Sequence, residues 1–141
     1  MLQIKIANNK GKLFAHNLTQ TNMKGYIERY WGGWKEEIFG NNYDLGENYL
    51  VVMEDNPIGY LRIRFAANEC WIEDIQIKED YQNRGIGSWV LKNALLVAER
   101  KGCESMKLRV LKENPAKRLY NRFGFVQISD DESSIIMKKD L

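Results

Sequence analysis

Histidine occurs once in these 141 residues, and cysteine and proline twice each. A lone His16 leaves no imidazole cluster for a catalytic metal. Cys70 and Cys103 lie 33 positions apart and match no metal-ligand spacing. We therefore expect no metal and no disulfide framework, and two reduced thiols of a cytoplasmic protein acting as small core residues. No apolar run approaches the roughly 18 residues that a membrane helix needs. The opening Met1-Leu2-Gln3-Ile4-Lys5-Ile6 lacks the continuous apolar stretch of a signal peptide, so no membrane partner is expected. Neither sign of charge predominates, with 21 Lys and Arg against 19 Asp and Glu. A net charge of +2, with no basic stripe, argues against a nucleic-acid partner. No linker, repeat or low-complexity tract divides the chain, and residues 1–141 read as one domain with a single core.

What the chain does have is concentrated between residues 71 and 102. Trp71-Ile72-Glu73-Asp74-Ile75-Gln76-Ile77 reads as a strand, rich in β-branched and aromatic residues. Ile86, Val90, Leu91, Ala94, Leu95, Val97 and Ala98 recur at helical spacing, and Gly102 stands where a helix C-cap is expected. Between them lies Tyr81-Gln82-Asn83-Arg84-Gly85-Ile86-Gly87. A strand running through a glycine-rich turn into a helix aims free backbone N–H groups and the helix dipole at one point, which suits a phosphate. The spacing excludes a Walker A loop, since no Gly-Lys-Ser/Thr follows. It also excludes the dinucleotide fingerprint, whose third glycine would fall where Val90 stands.

The remaining pattern, Gln82-x-x-Gly85-x-Gly87, resembles the pyrophosphate loop of the GNAT acyl-CoA-dependent N-acetyltransferases. A second segment strengthens the resemblance. After a strand at Lys107-Leu108-Arg109-Val110-Leu111 come Asn114, Ala116, a short helix bearing Leu119-Tyr120, and a Gly124-Phe125 turn into a last strand. The likeness covers residues 48–139 and is only topological before that. It implies an α/β (α+β) GNAT-like fold, a mixed and mostly antiparallel sheet with helices on both faces. It also implies acetyl-CoA as cosubstrate and an amine acceptor, either a small polyamine-like molecule or a peptide. A non-catalytic acyl-CoA-binding regulatory module is the alternative. A homodimer is a family habit for which no interface signature is legible.

The resemblance also implies roles. Tyr120 would give a proton to the departing thiolate. Glu73 and Asp74 resemble the Glu-Asp pair of diamine-acetylating members, Glu73 as base or amine-binding group and Asp74 as the other candidate. A carboxylate is needed because a free alkyl amine is protonated near neutral pH. Backbone groups of Ile75, Gln76 and Ile77 would pair with the pantetheine arm and supply the oxyanion donor. Gln82, Asn83, Arg84, Gly85, Ile86, Gly87 and Ser88 would hold the pyrophosphate. Asn114 would hydrogen-bond the cofactor arm, and Arg84 and Lys117 are candidate phosphate partners. His16 is not expected to be catalytic.

The first part of the chain carries the acceptor question. Residues 2–7 predict a first strand. Thr19 or Thr21 would cap a helix bearing Met23, Tyr26, Ile27, Tyr30 and Trp31, broken at Gly32-Gly33, with Trp34, Ile38 and Phe39 on a second short helix. Tyr30, Trp31 and Trp34 are candidate substrate-binding aromatics. Nearby Glu28, Glu36, Glu37, Asp44 and Glu47 would help them hold a cationic amine. Strands are expected over 49–53 and 58–65, joined at Glu54-Asp55-Asn56-Pro57, with a closing strand over 134–138.

Overall fold

The computed structural model describes residues 1–141. Its sheet has seven strands in the order β1-β2-β3-β4-β5-β7-β6. They are β1 (Leu2–Ile6), β2 (Glu47–Met53), β3 (Asn56–Ala66), β4 (Glu69–Ile77), β5 (Ser105–Leu111), β6 (Val126–Asp130) and β7 (Ser134–Asp140). Every neighbouring pair is antiparallel except β4 and β5, which run parallel. A parallel pair needs a crossover, and α3 (Ile86–Arg100) provides it. The β2–β3 hairpin turns on Glu54 and Asp55, both at positive φ (49° and 66°), the two-residue geometry whose twist matches the flanking strands.

Each face of the sheet buries its own cluster. Leu61, Ile63, Cys70, Ile72, Met106 and Leu108 point to one face, where Val90, Leu91 and Ala94 of α3 and Tyr120 of α4 (Lys117–Arg122) cover them. On the other face Tyr60 packs with Ala15 and Leu18 of α1 (Asn9–Trp31) and with Phe39 and Tyr43 of α2 (Glu36–Leu45). The mixed sheet with helices on both faces is as expected, and so is the placement of Cys70 in the core.

Two expectations need correction. Helix α1 begins at Asn9, a dozen or so residues earlier than expected. Its cap is Asn8, whose Oδ1 accepts from the Lys10 N–H at 2.9 Å. Thr19 and Thr21 therefore sit inside the helix. The helix ends where expected, with Gly32 left-handed at φ 72°. The second correction is β6, a full strand between the Gly124 turn and β7. It is exposed along its whole length, so burial leaves no apolar signature on it.

Candidate active site

The site begins with a flaw in the β3–β4 register. Arg62 pairs with Asp74 and Ile63 with Ile72, so Glu73 is an extra residue with no partner, a β-bulge. In an unbroken strand Glu73 and Asp74 would point to opposite faces. The bulge turns both carboxylates to the α1 face, where they line one cleft of about 570 Å³.

The cleft exists because β4 and β5 part company. Their pairing runs only from Glu69–Ser105 to Ile72–Leu108. From Glu73 to Ile77 that edge of β4 has no neighbouring strand. The Lys78 N–H donates to the Ile58 carbonyl, so by antiparallel alternation the N–H and C=O groups of Ile75 and Ile77 lie on the open edge. The Ile77 carbonyl is already occupied, accepting from Asn22 Nδ2 at 3.0 Å and Gln82 Nε2 at 2.9 Å. Ile75 is the residue left with both backbone groups available.

Each carboxylate is fixed by an arginine. Asp74 Oδ2 accepts from Arg62 Nη2 at 3.1 Å and Nε at 3.3 Å, and its Oδ1 accepts from Gln76 Nε2 at 3.3 Å. Burial raises the Asp74 carboxyl above its ordinary range, against the opposing pull of Arg62 and Gln76. Glu73 Oε1 accepts from Arg64 Nε at 2.7 Å. Across the cleft, Tyr120 is 9% exposed, with its ring edge-on to Phe125. Its hydroxyl has no hydrogen-bond partner within the protein, and burial, followed by the charge of Asp74, pushes the phenol up to about 12. Asn114 Oδ1 accepts from the Ala116 N–H at 2.9 Å, fixing the entry to α4; the residue lines the cleft and its Nδ2 has no acceptor in the protein. Thr19 joins the lining with a buried Oγ that has no partner. No sequence signal marked Thr19, because it read as a helix cap.

The glycine loop lies beside this cleft at the start of α3. Backbone N–H groups from Asn83 to Ser88 donate to no acceptor in the protein. Asn83 (φ 61°) and Gly85 (φ 79°) are both left-handed, which turns the chain sharply into the helix. Gln82 spends its side chain on Ile77, holding the loop to β4. Arg84 lies 5.4 Å over the Tyr81 ring, and neither Arg84 nor Lys117 makes an ion pair.

The candidate acceptor residues are dispersed. Trp31 lines the cleft. Tyr30 does not; its hydroxyl donates to Glu113 Oε2 at 2.9 Å, alongside the Arg29–Glu113 ion pair, tying the end of α1 to the loop after β5. Trp34 lines a neighbouring apolar groove of about 370 Å³ that shares Ile27, Trp31 and Asn42 with the cleft. Glu28, Glu36, Glu37, Asp44 and Glu47 are all absent from the cleft wall. Glu36 instead meets His16 Nε2 at 2.6 Å, a contact joining α1 to α2.

A strand bulged beside a splayed parallel neighbour, followed by a glycine turn into a helix, defines a mixed α/β protein with a cleft at the splay and free backbone amides beside it. The model of the acetyltransferase (GNAT) family matches residues 16–125, and the chain belongs to that family. Among curated relatives, the thialysine N-epsilon-acetyltransferase of Bos taurus is 38% identical over 69 residues, 48% of this chain and 41% of that protein. The chain thus spans less than half the length of that relative. The spermidine N(1)-acetyltransferase of Thermoplasma acidophilum is 25% identical over 126 residues, 81% of this chain and 78% of that one. A GNAT family acetyltransferase from Elizabethkingia anophelis, solved with acetyl-CoA bound, superposes with a TM-score of 0.81 at 19% identity, covering 99% of this chain and 98% of that one. At that identity the match speaks for the fold alone. No helix here is long and apolar enough to cross a membrane.

Proposed function

We propose that this protein moves an acetyl group from acetyl-CoA to an amine by direct attack within a ternary complex. The observation that carries the reading is the open edge of β4. Ile75 offers an unpaired N–H and C=O there, in the cleft that Glu73, Asp74 and Tyr120 also line.

The pyrophosphate of acetyl-CoA sits on the free amides of Asn83 to Ser88, with Arg84 and Lys117 as outer charges. The pantetheine arm pairs with β4 at Ile75 and stops short of the Ile77 carbonyl, while Asn114 Nδ2 donates to the arm. The thioester carbonyl then points at the Ile75 N–H, which stabilises the oxyanion as the amine adds. Glu73, or Asp74 beside it, takes the proton the amine loses. The carbon–nitrogen bond forms, the carbon–sulfur bond breaks, and the thiolate meets the Tyr120 hydroxyl. A thiolate is a weaker base than a phenolate whose acid lies near 12, so Tyr120 first donates a hydrogen bond. The proton follows as the carboxylate returns the amine's proton to the site.

Thiol release from acetyl-CoA, measured across a panel of amines, tests this directly. Saturable, amine-dependent release is expected. Tight acetyl-CoA binding with no release for any amine would instead mark a non-catalytic acyl-CoA-binding module.

A further inference from the structure

The charges of the cleft say what kind of amine it accepts. A diamine or polyamine carries a second ammonium that needs an anion, and once the free Oε2 of Glu73 meets the reacting amine the cleft wall has no further carboxylate oxygen without a partner. Asp74 is held by Arg62 and Gln76, and Glu73 by Arg64. The acidic residues of the first two helices, which the sequence offered as cation holders, are absent from the wall. Cationic donors are what remain. Arg64 uses only its Nε, leaving both terminal nitrogens without an acceptor in the protein. Its guanidinium lies 5.6 Å over the Trp71 ring, and Lys107 Nζ lies 5.6 Å from the same ring. Arg64 lines the cleft, and its two unclaimed terminal nitrogens form a fork of N–H donors. Arg109, also on the wall, has Nη1 committed to Asp131 and Ser134 at 2.9 Å each.

We infer that the acceptor is an amine bearing a carboxylate one or two carbons away, an amino-acid-type amine, and that Arg64 is the residue that selects it. One edge of the guanidinium holds the Glu73 carboxylate and the other holds the carboxylate of the acceptor. The acceptor's amine, beside its own carboxylate, then falls next to Glu73. The span from Glu73 through the amine to a carboxylate on the adjacent carbon is comparable to the width of one guanidinium with an anion on each edge. A peptide N-terminus has only a neutral carbonyl to offer the fork, and a polyamine offers a repelled cation. The inference rests on the acetyl-transfer reading above and narrows its substrate.

The test uses the full chain, acetyl-CoA and matched acceptors: free amino acids, the same amino acids as carboxamides, an aminoalkylphosphonate, and spermidine. Free amino acids are expected to exceed their carboxamides in kcat/KM by about 10- to 100-fold, the scale of a charge-assisted hydrogen-bonded pair. In Arg64→Gln that ratio should collapse through a raised KM for the free acid. Any loss common to acid and carboxamide reports the untied Glu73 instead. Arg64→Lys keeps the charge without the fork and should fall between the two. Acetyl-CoA binding by calorimetry shows whether each variant is folded. Preference for spermidine or the carboxamide, or an acid-to-amide ratio unmoved in folded Arg64→Gln, overturns the inference and leaves acetyl transfer standing. Preference for the phosphonate overturns the carboxylate assignment. Acetyl-CoA binding with no amine acetylated overturns acetyl transfer, and this inference falls with it.

Discussion

Tyr120 shows how burial sets the chemistry of one side chain. Its ring packs in the core against Phe125, while the residue also lines the cleft and its hydroxyl has no partner in the protein. The two readings the sequence allowed, core aromatic and proton donor, are thus both compatible with its position. Tyr120→Phe keeps the packing and removes the donor. Turnover should fall by about 10²–10⁴-fold, the range for a positioned acid, with acetyl-CoA affinity nearly unchanged. Steady-state rates beside calorimetric binding check this, and full turnover would leave Tyr120 as packing alone. A second outcome follows from its titration. Burial and the Asp74 charge push the phenol up to about 12, so it stays protonated at every lower pH. Rising pH should therefore increase the rate as the acceptor amine loses its proton. The profile should show no falling limb up to about pH 10, since the acid has not yet ionised. An alkaline limb falling well below that, in a protein still folded by circular dichroism, would argue against Tyr120 as donor.

At the scale of elements, the glycine loop separates two demands that the motif merges. Gly85 sits at φ 79° with nothing near a would-be Cβ, so its glycine is required by backbone conformation. Gly87 has an ordinary helical backbone, and a Cβ there would meet only Leu119 Cδ2 at 3.5 Å. Nothing in the protein forbids a side chain at 87; a ligand approaching the amides would. Gly85→Ala should therefore destabilise the fold by about 1–2 kcal/mol in chemical denaturation. Gly87→Val should be milder on stability yet strongly weaken acetyl-CoA binding. Equal acetyl-CoA affinity in Gly87→Val and the parent would move the pyrophosphate elsewhere. These elements also show where the sequence spoke and where it was silent. The loop, α3 and the β2–β3 hairpin announced themselves because each depends on local rules of capping, turn chemistry and periodicity, whereas the Asn114–Tyr120 segment was legible through its family resemblance. The start of α1 did not, since Gly11 and Gly25 dilute its helical signal and Thr19 imitates a cap. β6 was silent because Val126 and Ile128 are exposed and its turn to β7 rests on Asp131 accepting from the Ser133 and Ser134 N–H groups. The Glu73 bulge is a property of strand register, fixed by β3 across the sheet. Parity along one strand cannot reveal it.

Across the whole molecule, the sheet is two blocks, β1 to β4 and β5-β7-β6, paired with each other along Glu69–Ile72 and Ser105–Leu108, with one more bond just before them from the Glu104 N–H to the Asn68 carbonyl. The apolar cluster under α3 spans both blocks and holds them together from one face, while the cleft opens between them on the other. A cofactor lying in that opening would act as the missing connection, pairing with Ile75 on β4 and touching Asn114 beyond β5. Such a ligand binds the folded state alone, so stability should rise by mass action. At a hundredfold excess over Kd the gain is about 2.7 kcal/mol, or roughly 5–10 °C in melting temperature for a domain of this size. Its spatial pattern is more telling than its size. Amide hydrogen exchange with and without acetyl-CoA should show new protection at Asn83 to Ser88 and at Ile75. The strands β1 and β6, at the two outer edges of the sheet, should change only by the global increment. Exchange at Asn83 to Ser88 slowing while Ile75 stays unaltered would place the pyrophosphate on its loop but take the pantetheine out of the splay. Ile75 would then lose its role as oxyanion donor, and the opening between β4 and β5 would have to be explained by the acceptor alone.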